Sequence, residues 1–168
     1  MPLQDYTINT RDALAGQLYG LQQSSASIIS KTAEEAVGFA IGMTQGTADR
    51  GAIIGLPTFT DADVVKLLGV TLRQVNREQE VKAGDGTVLF AVNSQLPLLR
   101  RGQMNVVCVD GCSVGDAVHM NKVTGTFYGA AGVGLVEIAN AQYRSTGSAG
   151  DIVVLEISEG LFKPEVIA

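Results

Sequence analysis

The sequence has no tryptophan and a single histidine. It has only two cysteines and four prolines. Each shortage removes a class of chemistry. A metal enzyme on a small β-barrel needs several imidazole ligands, and here there is only His119. As a general base His119 would need a nucleophile or acid within reach, and the spacing supplies none, so it reads as a hydrogen-bonded sheet histidine. Cys108 and Cys112 form a C-x₃-C with no second pair to complete a zinc site. A disulfide between them would close a very small loop and stabilise little, so they read as reduced, mostly buried thiols. Charged residues are also scarce, at 17 %, with a net charge of −5. No basic run exceeds Arg100-Arg101, which argues against a nucleic-acid partner. No apolar run approaches a membrane span, and no membrane partner is expected. Met1 to Tyr6 has neither a basic start nor an apolar core, so no signal peptide is expected and the protein is expected to be made and used without Sec export. There is no Walker loop and no G-x-S-x-G. No cofactor, metal or catalytic residue is expected.

What is present is apolar content, at 46 %, and twenty glycines. A core can be built, and the low charge suits a protein that buries surface against partners. The strongest pattern is a small-residue/Gly-Asp turn that opens a β-rich run. Gly115-Asp116 precedes Ala117-Val118-His119-Met120. Gly84-Asp85 precedes Thr87 to Val92, and Gly150-Asp151 precedes Ile152 to Ile157. Glycine supplies the backbone shape and aspartate bonds nearby amides. A strand follows each turn, so these are not phosphate loops.

Residues 1–35 differ from the rest and are expected to be an N-terminal arm or extension, with residues 36–168 forming the β domain. Two readings of the first stretch stay open: an arm that orders against another surface, or an edge strand plus a long loop of the same domain. Val37, Phe39, Ile41 and Met43 alternate with small residues and predict a strand. Thr58 to Leu68 is the helix candidate, capped by Thr60. Asp61 and Asp63 pair two carboxylates there, but with no third ligand nearby they read as a solvated helix start. Ser94 to Leu99 is not expected to be a central strand throughout, because Pro97 lacks a donor. Arg100-Arg101-Gly102 reads as a turn, a solvated hairpin end in preference to an anionic contact. Lys122 to Tyr128 reads as a turn entering an edge strand, and Gly132 to Ile138 as a run buried on at least one face. Gly147-Ser148 could mark a self-processing bond, but an ordinary turn serine explains it. This density of strands and turns predicts an all-β sandwich or barrel.

An ordered series of motifs resembles a known family. It comprises Val70-Thr71-Leu72-Arg73, Lys82-Ala83-Gly84-Asp85, Leu98-Leu99-Arg100-Arg101-Gly102, Val114-Gly115-Asp116-Ala117-Val118, and Gly147 to Leu155. The Tyr6 to Gly16 opening fits the same series. In this order they resemble the structural cement or decoration proteins of tailed-bacteriophage capsids. The resemblance implies a jelly-roll-like β-sandwich (or small barrel) with an extended N-terminal arm and one short helix. It also implies a non-enzymatic virion protein made in the cytoplasm of a bacterial host. Such a protein sits on the capsid exterior and bridges neighbouring major capsid protein subunits, as a homodimer or homotrimer. A tail- or fibre-associated adhesion module is the alternative, and a small β-barrel enzyme a more distant one.

Overall fold

A computed structural model describes residues 13–19, 26–55, 60, 63–73 and 88–159. Its strands are β1 (Ser27–Ala33), β2 (Gly42–Gln45), β3 (Gly51–Ile54), β4 (Val64–Val65), β5 (Gly69–Thr71), β6 (Gln95–Val107), β7 (Ala117–Asn121), β8 (Phe127–Tyr128), β9 (Leu135–Tyr143) and β10 (Ile152–Ile157). They form one mixed sheet, with β1–β3 and β4–β9 parallel. The protein is all-β. The jelly-roll or sandwich arrangement is not confirmed, because the pairings run through one continuous sheet.

The 13-residue β6 organises that sheet. Its first half pairs with β1 on one edge and β5 on the other. β5 continues to β2, β2 to β3, and β3 back to β1, so the pairings close a first ring. The second half of β6 pairs with β10, and the ladder continues through β9 and β7 to β8. A parallel bridge from Phe127 to Cys108, just past the end of β6, closes a second ring. Residues 16–19 run along the other edge of this half of β6, where Gly16 N–H donates to Asn105 O (2.7 Å) and Tyr19 N–H to Gln103 O (2.9 Å).

Each ring holds a core. Ala33, Val37, Met43, Ala52, Leu68, Phe90, Leu96 and Leu98 fill the smaller one. The larger gathers nineteen buried residues, among them Leu67, Leu99, Met104, Val106, Phe127, Val136, Tyr143 and Leu155. Neighbouring strand residues face opposite ways, so Leu98 and Leu99 reach different cores. A bulge then shifts the alternation: Ile28 pairs with Leu99 but Ser27 with Arg101, which leaves Arg100 unmatched. After it Met104 and Val106 face the larger core.

Several expectations are corrected here. Among the described residues, Thr58 to Leu68 holds no helix: Thr60 and Asp63 form a turn and Val64–Val65 pair with Glu137–Ile138. The reason is burial, since Leu67 belongs to the larger core and Leu68 to the smaller, and an extended chain sends adjacent side chains to opposite faces where a helix would not. The strand expected over Val37 to Met43 is broken by a bend. Ala40 takes φ 58° and donates to Thr71 O (2.9 Å), while buried Thr71 Oγ1 donates to Gly38 O (2.9 Å) and accepts from Ile41 N–H (2.9 Å). The four apolar side chains still meet in the smaller core.

Pro97 does lie in a strand paired on both edges. Its carbonyl accepts Leu72 N–H (2.9 Å). A strand residue points both its groups to one neighbour, so the missing donor falls just past the end of β5. Arg100-Arg101-Gly102 is the bulge inside β6, not a hairpin end. Ser27–Ala33, within the expected arm, forms β1, which pairs with β6 at six positions. The expected Gly84-Asp85 turn lies outside the described residues.

Candidate functional site

The turns that open strands share one construction. Ser113 N–H donates to Asp116 Oδ2 (2.7 Å) and Asp116 N–H returns to Ser113 O (3.1 Å). Ser148 and Asp151 repeat it at 2.8 and 3.0 Å. Gly115 and Gly150 sit at φ 89° and 84°, a region that residues with Cβ resist. Thr60 and Asp63 make the same pair of bonds, at 2.7 and 3.2 Å, just before β4. Leu14 and Gln17 make them too, at 3.2 and 3.1 Å, with a glutamine amide oxygen in place of the carboxylate. Reading Asp63 as part of a helix start missed this. The spacing Thr-x-x-Asp, matching Ser-x-Gly-Asp, was the available signal.

Carboxylates also fix the longer loops. Asp110 accepts Gly129 N–H (2.7 Å) and Ala130 N–H (3.1 Å), tying the 129–134 loop to the end of β6. Partial burial pushes this carboxyl up, but the Gly129 and Ala130 amides, together with its own N–H and the Cys108 thiol, outweigh it and hold it below the ordinary aspartate range. Glu34 takes Ala48 N–H (2.9 Å), Thr47 N–H (2.9 Å) and Thr47 Oγ1–H (2.8 Å), and those bonds lower its carboxyl likewise. Asn121 Oδ1 accepts Val123 N–H (2.9 Å) and Thr124 N–H (3.1 Å) at the β7–β8 turn. That turn is joined to the 129–134 loop by Lys122 N–H donating to Gly134 O (3.1 Å). Flanking this bond are Val133, 98 % exposed, and Val123, 75 % exposed. Two apolar tips therefore stand in solvent on backbone that is held in place.

The residues weighed for chemistry are scattered. His119 lies half-buried on β7, across from Glu137 on β9 and Tyr128 on β8. Its Nδ1 is buried without a hydrogen-bond partner among the described residues, so the expected bond is not made at this nitrogen. Cys108 and Cys112 are free and buried, as read from their spacing. Burial, with the neighbouring Cys108, pushes the Cys112 thiol up to about 12, so it carries almost no thiolate at neutral pH. Burial and Cys108 also raise the Tyr143 hydroxyl. Gly147 bridges Cys112 through 2.9 and 3.0 Å backbone bonds, and Ser148 opens the turn described above. Arg100 meets Glu159 at 3.6 Å and Arg101 is exposed. Asp63 is committed to its turn, and Asp61 lies outside the described residues. Among the described residues no three His, Cys, Asp or Glu side chains gather where they could share a metal ion. None of their helices is long and apolar enough to cross a membrane.

A family model described as "Structural cement protein (E217 gp24/Pam3 gp6)" matches residues 2–158. The chain belongs to this phage structural cement protein family. No curated protein matches it. Among solved structures it is similar to a chain from the capsid of Myoviridae phage XM1, with a TM-score of 0.68 and 12 % identity, over 96 % of this chain and 100 % of that one. It also matches the N base of the head fiber gp8.5 of bacteriophage phi29, with a TM-score of 0.49 and 13 % identity, over 81 % of this chain and 98 % of that one. Membership makes this cement protein a structural, capsid-associated component of a phage particle with a stabilising role.

Proposed function

We propose that this cement protein binds the outer surface of the capsid and bridges neighbouring major capsid protein subunits, as a homodimer or homotrimer. Its role in this reading is non-enzymatic, and neither nucleic acid nor a lipid surface is a partner. The observation that carries it is the pair of exposed valines, Val123 and Val133, on loops held by Asn121 and Asp110. Loops already fixed in one shape lose little conformational entropy on docking, so more of the contact energy appears as affinity. A protein that binds only the assembled shell stabilises that state by mass action.

The test is occupancy and shell stability together. Shells purified without the protein should gain density across subunit boundaries, on the outside, when it is added back. Their disruption temperature should rise with protein concentration until the sites fill. Density confined within single subunits, or on the inner surface, would overturn the bridging reading.

A further inference from the structure

β1 carries an open edge. Its Thr32 N–H donates to Arg50 O (2.7 Å), on the side away from β6. Alternate residues of a strand share an edge, so Ser30 and Ile28 also turn their N–H and C=O groups away from β6. β3 pairs with β1 only at Thr32 and Ala33. Beyond Arg50, no strand among the described residues covers this edge. Among the described residues two donors and two acceptors are therefore left unpaired, beside a shallow groove lined by Ile29, Ser30, Lys31, Arg50 and Gln95. Ile28, half exposed, adds an apolar side chain on the outer face. Open edges of this kind are templates for strand addition.

Cations gather here in a chain whose net charge is −5. Arg50 is exposed at one end of the open stretch, and exposed Arg101 lies across from Ser27 at the other. Among the described residues Lys31 donates to neutral oxygens, those of Gln45 and Asp49, each at 3.0 Å. Of the nearby acids, Glu34 is bonded to the 47–48 amides, and Asp49 is exposed beside Arg50.

We propose that the β1 edge at Ile28 and Ser30 takes up an extended segment of a neighbouring shell subunit by strand addition, with acidic side chains on that segment meeting Arg50 and Arg101. The choice of a shell subunit as occupant rests on the capsid-bridging reading; the open edge does not.

Ser30→Pro is the direct test. Its N–H makes no bond to β6, so proline removes an edge donor and leaves the internal ladder intact. The full chain and this variant are sedimented with shells purified without the protein. The expected result is wild-type binding and at least a tenfold loss for Ser30→Pro at unchanged folding. Arg50→Glu/Arg101→Glu, which alters only exposed side chains, should lose at least as much and decides the matter if Ser30→Pro fails to fold. In wild-type protein the Ile28 and Ser30 amides should gain hydrogen-exchange protection on docking. Wild-type protein that binds no shells sinks the capsid reading. Wild-type binding with undiminished binding by the folded variants, or without new protection at Ile28 and Ser30, overturns the edge proposal alone. Self-association that Ser30→Pro abolishes, with shell binding intact, overturns the choice of occupant.

Discussion

The two rings share one strand but are built differently. The second is a run of neighbours: β7, β8, β9 and β10 follow one another along the chain and pair largely in that order, each entered through a short turn. The first is assembled from pieces far apart, with β1 paired to both β3 and β6 and β5 inserted between β2 and β6. Its buried core is less than half the size, with eight residues against nineteen among those described. Local chemistry specifies a ring made of hairpins, whereas a ring closed by distant strands depends on side chains meeting across the fold. The first ring should therefore be the less stable part.

The sharpest test separates the two cores at adjacent positions. Leu67→Ala and Leu68→Ala should each cost about 3 kcal/mol, because both side chains are fully buried and leave cavities. Since they fill different cores, their double-mutant coupling should be below about 0.5 kcal/mol by denaturant titration. Coupling well above that would mean that the two cores act as one.

The seam between the rings comes next. Gly42 N–H donates to Gly125 O (2.9 Å), bringing β2 of the first ring against the β7–β8 turn of the second, and Gly55 N–H donates to Gly42 O (3.0 Å) within the first ring. A Cβ on Gly55 would collide with the Lys122 carbonyl, at a φ of 68° that already disfavours it. Gly55→Ala should cost about 2 kcal/mol in thermal or denaturant unfolding. A near-neutral result would show that the rings have freedom to part.

This contrast also explains what could be read in the sequence. Ser113–Asp116 and Ser148–Asp151 were legible because their chemistry closes within four residues, as was the turn from Lys122 into β8. Leu67 and Leu68 were not, because their opposite destinations depend on cores contributed by β6 and β9. Pro97 and Arg100-Arg101-Gly102 looked like breaks, yet β6 runs through both, since the end of β5 and a bulge absorb them. Nothing local marks Gly42, Gly55 and Gly125 as a seam. The exposed tips at Val123 and Val133 were equally hidden, because an apolar residue in a short turn looks the same whether it packs or projects.

Asp110 tests the second ring beside the Cys108–Phe127 bridge that closes it. Asp110→Asn replaces a carboxylate that binds two amides with a group that has a single acceptor oxygen. The expected cost at neutral pH is about 1 kcal/mol, at the low end for bonds to a charged acceptor because the site is exposed. The fold lowers this carboxyl below its unfolded value. Its contribution is therefore complete above about pH 4 and fades as the pH falls through the folded pKa. The variant should lose part of the wild-type slope in stability below about pH 4, and parallel acid limbs would show that the clamp carries no proton linkage.

The smallest effect is the most specific to how the second ring is punctuated. A Cβ at Gly150 would meet nothing within 4 Å, so Gly150→Ala changes backbone preference and no packing. A left-handed φ costs an alanine about 1–2 kcal/mol. The unfolded chain, now less free, returns about 0.4–1 kcal/mol of that. The net loss should be about 0.5–1 kcal/mol. Gly115→Ala should match it within about 0.3 kcal/mol, because its turn has the same pair of bonds and a Cβ there would meet only Gln142 Nε2, at an ordinary contact distance of 3.8 Å. Agreement between the two would establish that one local device opens both β7 and β10. A loss of several kcal/mol at either turn would instead mean that long-range contacts govern the second ring as they do the first.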